Sequence, residues 1–229
     1  MLPRPIYIAH RGASGHEPEN TLLSFSRALE LGALWVEFDV RVVAGEPIIF
    51  HDRSLQRMAN TPGLVARQTL EKIRSIRLAK DQSIPLLSEV LGLLRGKASA
   101  QVELKGVGSG VVTALALLQS LQHGWDSSQF LISSFDHAEL LAFRATAPIF
   151  PLGLLTYGYP LNCLENAKKI GAVSIHLHID SVTEERVKQI HAEGLKVFVY
   201  TVNDPEDMRE LIALSVDGIF TDFPDRAVF

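Results

Sequence analysis

The chain has 229 residues, 47% apolar and 21% charged, with 22 Lys and Arg against 26 Asp and Glu for a net charge of −4. This composition excludes wholesale disorder, and it lacks the basic surplus of a general nucleic-acid or anionic-membrane binder. A single cysteine, Cys163, excludes an intrachain disulfide and a four-thiolate metal site, and no apolar run reaches the roughly 18 residues that span a bilayer.

In chain order, the N-terminus carries Pro3 and Pro5 and no apolar run of signal-peptide length, so a cytoplasmic protein is expected. Short runs rich in Val, Ile and Phe predict strands over residues 6–9, 34–39, 47–50, 100–105, 130–134, 150–155, 173–178, 196–202 and 218–221. Helical spacing of apolar residues predicts helices over 20–31, 70–76, 111–121, 138–144, 161–170, 183–192 and 205–214. Asn20 or Thr21 can cap the first of these, and Gly32 can end it. Alternating strands and helices imply parallel strands joined by crossover helices, and no linker or composition break divides the chain. One domain over 1–229 is therefore expected.

Nine strands are one too many for an eight-stranded barrel. Residues 34–39 and 47–50 are too close for a parallel crossover, which needs about a dozen residues. The turn at Ala44-Gly45-Glu46 makes 47–50 the return arm of a hairpin. Eight strands remain, and the expected fold is α/β, a (β/α)8 TIM barrel with a small insertion, hairpin plus loop, after the second strand, over about 40–84.

The second barrel strand reads Trp35-Val36-Glu37-Phe38-Asp39. Side chains alternate faces, and the outer face packs on helices, so Val36 and Phe38 should point outward and Glu37 and Asp39 inward. The third strand repeats this in Gln101-Val102-Glu103-Leu104-Lys105. Three carboxylates and an ammonium then meet at the barrel mouth. Buried carboxylates repel and resist ionisation, and a divalent cation resolves this; oxygen-only ligands favour Mg2+, Ca2+ or Mn2+ over zinc. The alternative is a buried ion-pair network of Glu37, Asp39, Glu103 and Lys105.

His10-Arg11-Gly12 follows the first strand and so lies at the same end. The planar guanidinium of Arg11 suits a phosphate, and Gly12 allows a sharp turn. His51-Asp52 ends the hairpin and brings a second histidine over the mouth; two imidazoles there can serve as acid and base. His16 is expected at the rim, and His123, His137 and His191 as solvated. His176 and His178 share one strand face, axial or outward, with a direct role left open. Cys163 has no local base partner and reads as packing.

In this order His10-Arg11-Gly12, Pro18-Glu19-Asn20-Thr21, Glu37-x-Asp39, His51-Asp52, Glu103-Leu104-Lys105, Ser134-Phe135-Asp136, Tyr200-Thr201-Val202-Asn203 and the terminal Gly218 to Pro224 run resemble the glycerophosphodiester phosphodiesterases, most closely the short bacterial cytoplasmic members. The resemblance spans nearly the whole chain. It implies a barrel with an insertion after the second strand. It also implies metal ligation by Glu37, Asp39 and Glu103, Mg2+ first, with His10 and His51 as the acid/base pair and Arg11 and Lys105 on the phosphate. Two departures stand out. The hairpin tip Val43-Ala44-Gly45-Glu46 is short and lacks the family's Thr and Asp, and Tyr200 takes the place of a common Trp. Both bear on which leaving alcohol fits, and Tyr200 is expected to line the pocket. The implied reaction is hydrolysis of a glycerophosphodiester to sn-glycerol 3-phosphate and an alcohol, through a cyclic phosphate formed by the glycerol 2-hydroxyl. The expected partner is this small molecule, with no nucleic acid and no stable membrane association; the sequence sets no oligomeric state. Rival readings are a phosphoinositide- or sphingomyelin-type barrel phosphodiesterase and an inactive phosphate-binding module.

Overall fold

Strand β1 (Ile6–Ala9) starts a parallel barrel whose remaining staves follow at helix-length intervals. The computed structural model describes residues 5–227. After β1 come helix α1 (Leu22–Glu30), strand β2 (Trp35–Val43), strand β3 (Glu46–Ile49), the short helices α2 (Gln56–Ala59) and α3 (Leu70–Ser75), and helix α4 (Leu87–Leu94). Then follow β4 (Ser99–Leu104), α5 (Ser109–Leu121), β5 (Phe130–Ser134), α6 (His137–Thr146), β6 (Leu152–Thr156) and α7 (Cys163–Ile170). Strand β7 (Ser174–His178), α8 (Glu184–Ala192), β8 (Lys196–Tyr200), α9 (Pro205–Ala213) and β9 (Gly218–Thr221) complete the chain of elements.

The sheet order is β1-β9-β8-β7-β6-β5-β4-β2, closed by β1 on β2, with every pair parallel; β3 adds antiparallel to the outer part of β2. This is the eight-stranded TIM barrel expected from the sequence. The β2–β3 turn needs two left-handed residues, met by Ala44 (φ 51°) and Gly45 (φ 84°), so Val43 pairs directly with Glu46. Strand β2 thus runs four residues past Asp39, because β3 continues its hydrogen bonding.

Two differences from the sequence reading have local causes. Helix α1 begins at Leu22 because Thr21, not Asn20, caps it: the Thr21 hydroxyl accepts from the Ser24 amide at 3.1 Å. Helix α4 has no counterpart among the predicted helices. Leu86, not a Ser, Thr, Asp or Asn, stands at its N-cap, and Gly92 interrupts its leucine-rich run. Its start is held instead by Glu89, whose carboxylate accepts from the Leu86 amide at 2.7 Å, and Leu87, Val90, Leu91 and Leu94 form its buried stripe.

Three apolar clusters result among the described residues. The largest lies between staves and helices and takes in Val36 and Phe38, the outward face of β2. A second, with Ile48, Phe50, Leu55, Ile73 and Ile84, sits under residues 44–86. The third, Ile8, Leu131, Phe198 and Phe220, fills part of the barrel interior. Above it the interior turns polar, and the site begins there.

The interior core leaves no room at Gly218, where a Cβ would lie 2.1 Å from the Phe198 ring. Gly218→Ala should overpack this layer and cost about 1–3 kcal/mol. In a chain of this size each kcal/mol lowers Tm by about 2–4 °C. A thermal melt with an unchanged midpoint would show that the interior can relax around the methyl group.

Candidate active site

Glu37 and Asp39 point inward from β2 and are 2% and 0% exposed, and Glu103 points inward from β4 at 8%. Asp39 and Glu103 are register partners on adjacent staves. The three carboxylates each offer an oxygen within 4.8 Å of the others. Burial raises the Glu37 pKa well above the carboxylate range, and the charges of Asp39 and Glu103 raise it further. Burial likewise pushes Glu103 up to about 7 against the pull of Lys105. Asp39 goes the other way: burial would raise it, but the Lys105 and Arg11 cations hold it well below the usual range.

The cations come from two directions. Lys105 follows β4 directly, its amide still bonded to the Val40 carbonyl at 2.9 Å, and its ammonium pairs with Glu103 and lies 3.3 Å from Asp39 Oδ1. Arg11 lies on the loop after β1, its Nε 3.3 Å from Asp39 Oδ2 and its Nη1 donating to Glu19 at 2.9 Å. Its backbone is left-handed, φ 54°, a conformation that costs a non-glycine residue of order 1 kcal/mol or more. The Glu37 carboxylate accepts from the Arg11 amide at 2.8 Å and holds that turn. Gly12 is required next: φ is 83°, and a Cβ would meet Ser24 Oγ at 2.3 Å.

Both predicted histidines reach the same cavity, of about 320 Å3, which His10, Arg11, Glu37, His51, Glu103 and Lys105 line. Each imidazole is held through Nδ1 by a carboxylate, His10 by Asp222 and His51 by Asp52, both at 2.7 Å. The Asp222 carboxyl is held down at about 2: burial opposes this, but His10, Asn203 and Ser14 all bond to it. The Asp52 carboxyl is also at about 2, chiefly through Arg57. With both acids ionised, the hydrogen-bond network assigns the imidazole proton to Nδ1 rather than Nε2. Burial lowers the His51 pKa, and the Asp39 carboxylate acts in the opposite sense.

The far wall is aromatic. Tyr200 lines the cavity, donates its hydroxyl to the Thr156 carbonyl at 2.8 Å and meets Phe135 edge to face, centroids 5.9 Å apart. His178 also lines it, stacked on Tyr157 at 4.8 Å. His176 lies deeper, fully buried, its pKa lowered by burial to about 3 and its Nε2 2.9 Å from Ser174 Oγ. Both therefore lie on the axial face. Of the histidines expected to be solvated, His123 is exposed, His191 is exposed but pairs with Asp217, and His137 is half-buried against the Leu155 carbonyl. His16 pairs with Asp225. Cys163 is buried, and burial raises its thiol to about 11.

The residues that hold this set in place carry no predicted role at the site. Asn20 is 2% exposed; its amide donates to Asp39 Oδ2 at 2.8 Å, and its oxygen accepts from the Asp39 amide at 3.2 Å. Asn203 donates to Asp222 at 2.7 Å. Arg41 donates twice to the His51 carbonyl, at 2.9 and 2.7 Å. Asn20, Asp52, Asn203 and Asp222 stand inside the motifs that carry the family resemblance. That placement was the one signal for them, since no periodicity marks a single polar residue on a loop.

The Glycerophosphoryl diester phosphodiesterase family matches residues 10–226 of the chain. A glycerophosphodiester phosphodiesterase of Bacillus altitudinis is 34% identical over 236 residues, covering 96% of each chain. One from Caldanaerobacter subterraneus subsp. tengcongensis is 33% identical over 238 residues, covering 98% of this chain and 97% of its own. The solved structure of an Oleispira antarctica phosphodiesterase, in complex with the product sn-glycerol 3-phosphate, superposes with a TM-score of 0.91 at 30% identity, over 99% of this chain and 95% of that one.

The Asp222–His10 pair has a consequence at low pH. The Asp222 carboxyl titrates at about 2 in the folded chain, below its ordinary 3.8. A depressed carboxyl contributes stability that is present above about pH 4 and is lost as pH falls toward 2. Asp222→Asn should therefore lose stability less steeply than the parent between pH 4 and 2. Parallel acid-unfolding curves by circular dichroism would show that this pair contributes nothing to stability.

Proposed function

The chain belongs to the glycerophosphoryl diester phosphodiesterase family, and we propose that it hydrolyses glycerophosphodiesters to sn-glycerol 3-phosphate and an alcohol by metal-assisted histidine acid/base catalysis. The observation that carries this reading is the convergence of Glu37, Glu103, two cations and two carboxylate-held histidines on one cavity, with Asp39 buried against the two glutamates. We read the chain as one domain in which residues of about 40–84 serve the barrel mouth. We place it in the cytoplasm, acting on a small molecule; no described helix is long and apolar enough to cross a membrane.

The carboxylate cluster fits a hard divalent ion. It offers oxygen donors without sulfur, and Glu37 Oε1 is buried with no hydrogen-bond partner. Glu37, Asp39 and Glu103 would hold one ion, Mg2+ in preference to Ca2+ or Mn2+. When bound, such an ion offsets phosphoryl charge and lowers the pKa of the glycerol 2-hydroxyl.

The chain's own residues do the rest. Arg11 and Lys105 bind the phosphoryl oxygens and offset the charge that gathers on them. One histidine takes the 2-hydroxyl proton at Nε2 as that oxygen bonds to phosphorus. The other gives its Nε2 proton to the departing alkoxide as the P–O bond to the alcohol breaks. A cyclic glycerol phosphate results. Water then adds to phosphorus with the histidine roles exchanged; the bond to the 2-oxygen breaks, and both protonation states are restored. Asp222 and Asp52 keep each imidazole in the tautomer this exchange needs. The aromatic wall with Tyr200 takes the side of the departing alcohol.

Three measurements bear on this. Turnover of glycerophosphocholine should vanish with a chelator and return on adding Mg2+, Mn2+ or Ca2+; full activity of metal-free protein in excess chelator would remove the metal from the reading. His10→Ala and His51→Ala should each lower kcat by about 10²–10⁴-fold while leaving metal binding intact. A variant with undiminished kcat would take its histidine out of the mechanism. Lys105→Met should keep its metal yet lose about 2–4 kcal/mol of transition-state stabilisation in kcat/KM. Wild-type kcat/KM in the metal-saturated variant would make Lys105 a counter-ion for the carboxylates only.

A further inference from the structure

Arg57 lies on the four-residue helix α2, which buries none of its own side chains, and its guanidinium side chain is 49% exposed. It nevertheless makes four short bonds to two carboxylates. Its Nε donates to Asp52 Oδ2 at 2.7 Å and its Nη1 to Glu19 Oε2 at 2.9 Å. A single nitrogen, Nη2, donates both to Asp52 Oδ1 at 2.9 Å and to Glu19 Oε1 at 2.7 Å. Those two oxygens are the ones that touch the cavity residues. Asp52 Oδ1 holds His51 Nδ1 at 2.7 Å, and Glu19 Oε1 accepts from Arg11 Nη1 at 2.9 Å. A continuous path therefore runs from Arg11 through Glu19, Arg57 and Asp52 to His51, with every link between 2.7 and 2.9 Å.

We propose that Arg57 is a positioning residue that couples the phosphate clamp at Arg11 to proton transfer at His51. The proposal rests on the roles assigned above to Arg11 and His51. A planar guanidinium with donors on three nitrogens can grip two carboxylates at fixed relative angles; an ammonium, a point charge on a flexible stem, cannot. One side chain thereby sets the separation between the anion site on the β1–α1 loop and the imidazole beyond β3. A purely mechanical tie is available for comparison. Lys80 Nζ lies 2.5 Å from Glu17 Oε2, also joining the 44–86 segment to the β1–α1 loop, and neither residue bonds to Arg11 or His51.

The test compares Arg57→Met, Arg57→Lys and Lys80→Met. Three quantities are read with Mg2+ present: kcat on glycerophosphocholine, calorimetric affinity for sn-glycerol 3-phosphate, and Tm. Wild-type turnover decides the reaction assignment first; the variant-to-parent ratios then decide the inference separately. Arg57→Met should lose about 10–100-fold in kcat, the scale for residues that orient a reacting group, and several-fold in product affinity. Arg57→Lys should keep the parent Tm yet recover little of either loss, and it decides the matter should the Met variant fold poorly. Lys80→Met should match the parent in kcat and affinity. Parent-like kcat and affinity in Arg57→Lys would overturn the proposal. So would a kinetic loss in Lys80→Met equal to that in Arg57→Met, since any tie between the two segments would then suffice.

Discussion

Three carboxylates with oxygens inside 4.8 Å, buried on neighbouring staves of a barrel, form the constraint around which this molecule is arranged. Such a cluster cannot hold three charges unaided, because burial and mutual repulsion both favour the protonated acids. The surroundings answer this group by group. Lys105 and Arg11 bring positive charge from opposite sides, and Asn20 bonds both the side chain and the amide of Asp39. Arg11 reaches its place only through a left-handed turn held by Glu37, one of the carboxylates it helps to neutralise. The cluster and its counter-charges therefore depend on each other's position. The buried Glu37 oxygen left without a partner is where a cation has most to offer.

The barrel makes this affordable by separating its faces. Outward residues such as Val36 and Phe38 join the large apolar cluster beneath the helices, and part of the interior is filled by Ile8, Leu131, Phe198 and Phe220. The polar residues occupy what remains of the axis. Glycines at 153 and 218 stand where rings from neighbouring strands already fill the space of a side chain, His176 at one and Phe198 at the other. Stability is thus built on one face of each stave and chemistry on the other, which is the division the alternation of a strand permits.

Closure and excursion supply the two histidines by different routes. His10 and Asp222 are 212 positions apart, but β1 and β9 are parallel neighbours, with Ala9 opposite Thr221, so the residues that follow them emerge side by side. His51 arrives on the return from β3, over the satellite cluster of Ile48, Phe50, Leu55, Ile73 and Ile84. Arg41, near the outer end of β2, ties the His51 carbonyl down from below. In both, a rigid strand sets the backbone and a carboxylate sets the ring, Asp222 from the end of a neighbouring stave for His10 and the adjoining Asp52 for His51.

How much of this was legible in the residues follows from the range of the forces involved. Alternation along a strand is local, so Glu37, Asp39, Glu103 and Lys105 could be assigned to the inner face from two pentapeptides, and the number of staves from turn spacing and crossover length. Placement at the ends of the first strand and of the hairpin marked His10, Arg11 and His51, and the family motifs implied their roles. Helix α4 was missed because its start signal is a side chain three residues inside the helix, not a cap before it. The partners of the site residues were not legible either: Asp222 for His10, Asn20 for Asp39, and Glu19 and Arg57 in one path to Arg11 and His51. The amino-acid order by itself determined the fold class and which side chains face the axis, because both rest on periodicity within a few residues. Which charge neutralises which, and which nitrogen of His10 carries the proton, was decided only when the barrel closed, because Coulomb interactions and hydrogen bonds act across space between residues far apart along the chain; at His51 the adjoining Asp52 makes that choice locally.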